Sequence, residues 1–197
     1  MNTHIEPFRK VTLFAPPDDK LNRAAVHEAG HGVAAWECCY VIDIGEIRIW
    51  EAGHGLTTNR FHRASEGVSF PKWEQIVVGL AGMAGELRVY GSVYPNGSLP
   101  DFQTCRFMAE GIVGLAPMAR GKWDISHGLP LPDVASLLRQ EAPEDVRLVL
   151  NICLARALKV IGERRLAFRR LRRTLVRRRR VGPPELSLIF GGNRDSF

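Results

Sequence analysis

The sequence predicts a mainly helical domain with one small antiparallel β-hairpin. Three observations predict it. Apolar and small residues recur at helical spacing, as in Leu21, Ala24, Ala25, Val26, Ala29 and Val33. Only residues 40–61 change to the alternating, β-branched character of a strand. A chain of 197 residues, 45% hydrophobic, is long enough for one domain with a real core.

The elements follow in order. Residues 1–18 read as an extended lead-in through Pro16 and Pro17, and Asp18 and Asp19 supply helix-start signals. The spacing predicts a first helix over 19–37. Gly30 and Gly32 lie inside it, each at a cost of up to about 1 kcal/mol against alanine, which points to something approaching closely. VIDIGEIRIW and LTTNRF, punctuated by Gly53 and Gly55, predict the hairpin, and a loop follows over 62–71. A second helix is expected over 73–90. Its glycines at 79, 82 and 85, beside Ala81 and Ala84, give it a smooth face for packing against the first helix. Residues 91–100 (GSVYPNGSLP) read as loop. Asp101 opens a helix to about 115, and 116–133 is irregular enough to serve as a lid. A long basic helix runs from about 143 to 180, and Pro183 and Pro184 break it. The domain therefore spans 19–188, with a tail over 189–197.

The net charge of +6 is local. Residues 159–180 hold 11 Lys/Arg and one acidic residue, Glu163. Leu166, Phe168, Leu171, Leu175 and Val176 leave an apolar stripe among these arginines, so a packed helix with a solvated charged face is the first reading. Binding to an acidic partner or an anionic membrane surface comes second. Nucleic-acid contact ranks last, because no aromatic platform or recognition motif accompanies the arginines. Cys38, Cys39, Cys105 and Cys153 form no CxxC pair, which fits free thiols in a reducing cytoplasm. No signal peptide is read at the N-terminus, and the longest apolar run is too short for a transmembrane segment.

The chemistry centres on His27-Glu28-Ala29-Gly30-His31, an HExxH pattern inside the first helix. Residues four apart share a helix face, so the two imidazoles can bind one metal ion. Glu28 projects about 100° round the axis and can reach a water beside that ion. This is the minimal equipment of a zinc hydrolase, with Glu28 taking the proton of the water and passing it to the leaving amine. Catalytic zinc usually has a third protein ligand. Glu86, Asp101, His54, His62 and His127 are all candidates, and spacing does not decide among them.

Several segments resemble the FtsH-type zinc metalloprotease family. AAVHEAGHGVAAW is similar to its HEAGH segment, and VIDIGEIRIWEAGHGLTTN to its substrate-side strand and Gly-x-Thr. LAGMAGELRVYG is similar to its small-residue helix, NGSLPDFQTCRFMAEGIVGLAPM to its Asn-Asp-Leu segment, and LARALKVIGERRLAFRRLRRTLVRRRRVGPPEL to its last helix. Order and spacing agree over roughly residues 20–188.

The resemblance implies an FtsH peptidase-like helical fold and one zinc ion on His27, His31 and Asp101, with Glu28 as catalytic base. Asp101 has a structural alternative as the last residue of a capping box begun by Ser98. Glu86 is then expected to hydrogen-bond a ligating histidine or to form a structural ion pair. The strand at 47–50 would be the edge strand that pairs with extended substrate.

The family carries an ATPase domain, but no GxxxxGK[ST] segment occurs here. The expectation is therefore an ATP-independent zinc metalloendopeptidase acting on peptides or unfolded polypeptides, with an ATPase or acidic partner left open. A catalytically weak or regulatory zinc-binding, peptide-binding protein is the competing expectation.

Overall fold

The computed structural model of the chain describes residues 19–61, 70–115 and 133–192. In chain order the elements are α1 (Lys20–Glu37), β1 (Val41–Ile49), β2 (Gly55–Phe61), α2 (Phe70–Tyr90), α3 (Pro95–Leu115), α4 (Val134–Leu137), α5 (Glu144–Glu163), α6 (Arg165–Arg178), β3 (Arg180–Val181) and α7 (Pro183–Phe190). The architecture is mainly helical with a small antiparallel sheet, as the periodicity predicts. The lead-in, most of the 62–71 loop, residues 116–132 of the expected lid and 193–197 of the tail lie outside the described residues, as do His62 and His127. No helix among the described residues is long and apolar enough to cross a membrane.

α1 begins where Asp19 places it. The Asp19 carboxylate accepts a hydrogen bond from the Asn22 amide at 3.0 Å, satisfying one of the free N–H groups of the first turn. Residues 24–35 of α1 are buried without interruption, so this helix is the central strut. Its largest interface is with α2. The glycines explain how close the two come. A β-carbon on Gly30 would overlap the Ala81 carbonyl, and one on Gly85 would press on the Val26 carbonyl. Gly32 makes room on another side of α1 for Ile47 and Leu171, and Gly79 makes room for Cys105 of α3.

The hairpin forms as expected, but the sheet has three strands in the order β2-β1-β3. Ile47 and Arg48 pair with Val181 and Arg180, and the Ile49 amide donates to the Arg179 carbonyl at 2.8 Å. The strand at 47–50 is therefore not the free edge. β2 occupies the edge beside the site. Two residues of β3 are too few to leave a periodic signal in the sequence.

Three other boundaries differ from the sequence reading. α3 starts at Pro95, and Pro100 lies inside it, so most of the expected 91–100 loop is helical. Glu86 holds that first turn from outside, accepting from the Tyr94 amide and the Ser98 hydroxyl. The long helix expected over 143–180 divides at Arg164. α5 packs on α2 while α6 turns to pack on α1, and the two partners require two directions. Arg179, left-handed at φ 64°, then ends α6. Pro183 and Pro184 open α7, where a missing N–H costs nothing. Ile189 and Phe190 belong to that helix and not to a tail, and Phe190 stacks on Trp36 with ring centroids 4.6 Å apart.

Candidate metal centre

α1, α2, α3 and β2 surround a cleft of about 960 Å³, and the HExxH residues lie on its floor. His27 and His31 are one turn apart on α1, and Asp101 reaches them from the second turn of α3. His27 Nε2 lies 2.9 Å from Asp101 Oδ2 and 3.0 Å from His31 Nε2. His31 Nε2 lies 3.4 Å from the same Asp101 oxygen.

The outer sides of the rings decide which atoms face inward. The Val78 carbonyl can only accept, so His31 Nδ1, 2.7 Å away, carries hydrogen and donates to it. His27 Nδ1 donates to Glu86 Oε1 at 2.7 Å. In the neutral rings both Nε2 atoms therefore turn lone pairs toward each other and toward a carboxylate oxygen. Three such atoms so close together are balanced by a shared cation, either a proton or a metal ion. Tetrahedral zinc with bonds of about 2.0–2.1 Å sets its ligand atoms about 3.3 Å apart, close to this triangle. The donor set of two imidazoles and one carboxylate also suits zinc. His27, His31 and Asp101 are thus a group that can hold a metal ion.

Electrostatics point the same way. Burial disfavours a charged His27, yet hydrogen bonds to Asp101 and Glu86, with the field of Glu28, raise its pKa far above the ordinary histidine value. His31 is raised against its burial mainly by Asp101. Burial would raise the pKa of Asp101, but the two imidazoles pull it well below the usual carboxylate range. Three carboxylates around two histidines form a site that attracts positive charge.

Glu28 stands beside this group but outside it. The Thr57 hydroxyl donates to Glu28 Oε2 at 2.7 Å. The register Ile47↔Thr57 and Ile49↔Gly55 turns Thr57 and Gly55 to the face of the two buried isoleucines, toward α1. Gly55 has no room for a β-carbon because the Glu28 side chain fills that space, and Gly82 has none because of the His27 ring. Asp101 is no helix cap, since α3 begins six residues before it. Ser98 is buried and its hydroxyl bonds Glu86. Glu86, 2% exposed, backs His27 from behind and does not join the triad. His54 lines the cleft mouth but is not in the group. Sequence reasoning missed the Thr57 hydroxyl and the Val78 carbonyl, and it read Ser98 as the start of a capping box where its hydroxyl bonds Glu86. Only Thr57 had a signal, in Gly55-Leu56-Thr57.

Glu86→Gln is expected to weaken zinc binding roughly 10–100-fold. Its amide could still accept from His27, but its NH₂ would face the Tyr94 N–H, donor against donor. Competition with a chelator measures the change; unaltered affinity would leave Glu86 a structural role only. No family model matches the chain and no curated protein matches it, so what can be said of the site rests on its geometry and its residues.

Proposed function

We propose that this domain is a zinc-dependent metalloendopeptidase that hydrolyses peptide bonds of peptides or unfolded polypeptides, without ATP, with Glu28 as general base. One observation carries it. The His27, His31 and Asp101 donor atoms converge on the floor of an open cleft, with the Glu28 carboxylate alongside and held by Thr57. Zinc, when bound, supplies a Lewis acid and lowers the pKa of its water to about 7.

The chain's own residues do the rest. His27 and His31 present lone pairs fixed by Glu86 and Val78. Glu28 accepts the proton of the attacking water and delivers it to the departing amine. Thr57 holds one carboxylate oxygen, leaving the other for that proton. The outer edge of β2 has no strand partner among the described residues and borders the cleft beside Glu28. An extended peptide can lie along it through backbone hydrogen bonds, which demand no particular sequence. The serial resemblance to the FtsH-type family supports the same reading. Four free cysteines, three of them buried, support a location in a reducing compartment, the cytoplasm.

The test is cleavage of unfolded casein without nucleotide, with zinc present or stripped. Zinc-dependent product supports the reading. A protein that binds one zinc per chain and cuts nothing supports the regulatory, peptide-binding alternative. Thr57→Val is expected to lower kcat/KM about tenfold, near 1.4 kcal/mol, through loss of a hydrogen bond to a charged group. Zinc content should not change. An unchanged rate would remove Thr57 from the positioning of Glu28.

A further inference from the structure

We propose that the first turn of α1 builds a carboxylate-binding subsite at one end of the cleft, on Arg23 and Lys20. It takes an Asp or Glu side chain of an extended peptide. The proposal rests on the peptidase reading above and adds a substrate class to it.

Lys20, Arg23, His27 and His31 follow one another down a single face of α1 and all line the cleft. The Arg23 guanidinium lies 4.6 Å from the centre of the Tyr90 ring and 5.7 Å from that of Tyr94. Two aromatic rings thus hold the cation in place at the mouth. Among the described residues, neither Arg23 nor Lys20 has a carboxylate partner, whereas Arg48, Arg164, Arg178 and Arg180 each have one. The acidic side chains lining the cleft are Glu28, Glu86 and Asp101, all engaged by Thr57 or the histidines. A pre-held guanidinium with no carboxylate partner among the described residues is suited to a carboxylate from outside, which it can bind through two parallel N–H groups.

The two ends of the cleft differ. The rest of the described lining has no lysine or arginine, with Phe61, Val78, Cys105 and Met108 among its residues. Acid selection therefore acts on one side of the metal centre only. Arg23 is one helical turn from His27, about 6 Å along the axis, and Lys20 about 10 Å. An extended peptide advances about 3.3 Å per residue, so the selected acid lies two to three residues from the bond that is cut.

Labelled peptides carrying Glu, Gln or Lys at successive positions test this in two assays. Binding is read by fluorescence anisotropy on the zinc-loaded Glu28→Gln protein, and kcat/KM on the wild type. The expected result is at least a tenfold preference for Glu over Lys at one or two adjacent positions on one side. Adding Arg23→Gln should remove most of it, and Arg23→Glu should reverse it. Lys20→Gln, at an exposed position, should reduce it in part and serves if the Arg23 variants do not fold. Each peptide is also made C-terminally amidated. A preference that follows the free terminus and ignores the Glu position overturns the side-chain assignment. Equal treatment of Glu and Lys peptides that are cut overturns the subsite and leaves the peptidase. Glu-selective binding without any cleavage keeps the subsite and removes the peptidase. Neither binding nor cleavage removes both.

Discussion

Glu28→Gln is expected to lower casein hydrolysis about 10³-fold while the protein keeps one zinc per chain. The size is that of a removed general base, which contributes roughly 10²–10⁴. The separation of the two effects comes from the geometry. The group that could hold a metal ion is His27, His31 and Asp101, and Glu28 is not part of it. Glutamine matches glutamate in shape and can still accept from Thr57, so the wall formed by Gly55 and Thr57 stays as it is. What is lost is the capacity to take a proton. Rate and zinc content are measured on the same sample. Cleavage within tenfold of wild type would remove Glu28 as base. Loss of zinc along with activity would make Glu28 part of metal binding and overturn its assigned role.

Gly30→Ala is expected to destabilise the fold by about 3 kcal/mol, at the upper end of ordinary overpacking. Two terms compete. Alanine improves helix propensity by up to about 1 kcal/mol. Its β-carbon, however, would overlap the Ala81 carbonyl, and that obstacle is backbone, which cannot rotate aside. α1 and α2 would have to separate, and the overlap dominates. For a chain of this size the melting temperature should fall by roughly 6–12 °C. The same separation would move His27 and His31 away from Glu86 and Val78, so zinc affinity should drop as well. Thermal unfolding of the metal-free protein isolates the packing effect. An unchanged or raised melting temperature would mean that the close approach at Gly30 is not needed.

Why some of this was legible in the sequence follows from the range of the interactions. α1 could be read nearly to the residue because its cap, its apolar spacing and its HExxH face are all local. The glycines inside α1 and α2 could be read as close packing because a glycine in a helix is unfavourable unless something occupies the missing space. The start of α3 could not be read. Residues 95–100 carry turn chemistry, and what makes them helical is a carboxylate on α2 bonding the Tyr94 amide. The break at Arg164 left only a weak local signal, Gly162 in the last turn of α5, and the direction of α6 is set by its packing on α1.

The site divides in the same way. The sequence by itself determined that His27, Glu28 and His31 share a helix and that the two imidazoles lie one turn apart, because a helix fixes the geometry of neighbours without help from the rest of the chain. Spacing left the third ligand open among Asp101, Glu86, His54, His62 and His127, and only the family resemblance implied Asp101. Only the tertiary structure decided that Asp101 meets the histidines, that Glu86 stands behind His27, and that Thr57 holds Glu28. It also decided that β2, and not the strand at 47–50, borders the site on a free edge. These contacts join residues 29 to 74 positions apart. At such separations spacing carries no information, and the packing of α1 against α2, α3 and the sheet sets every distance.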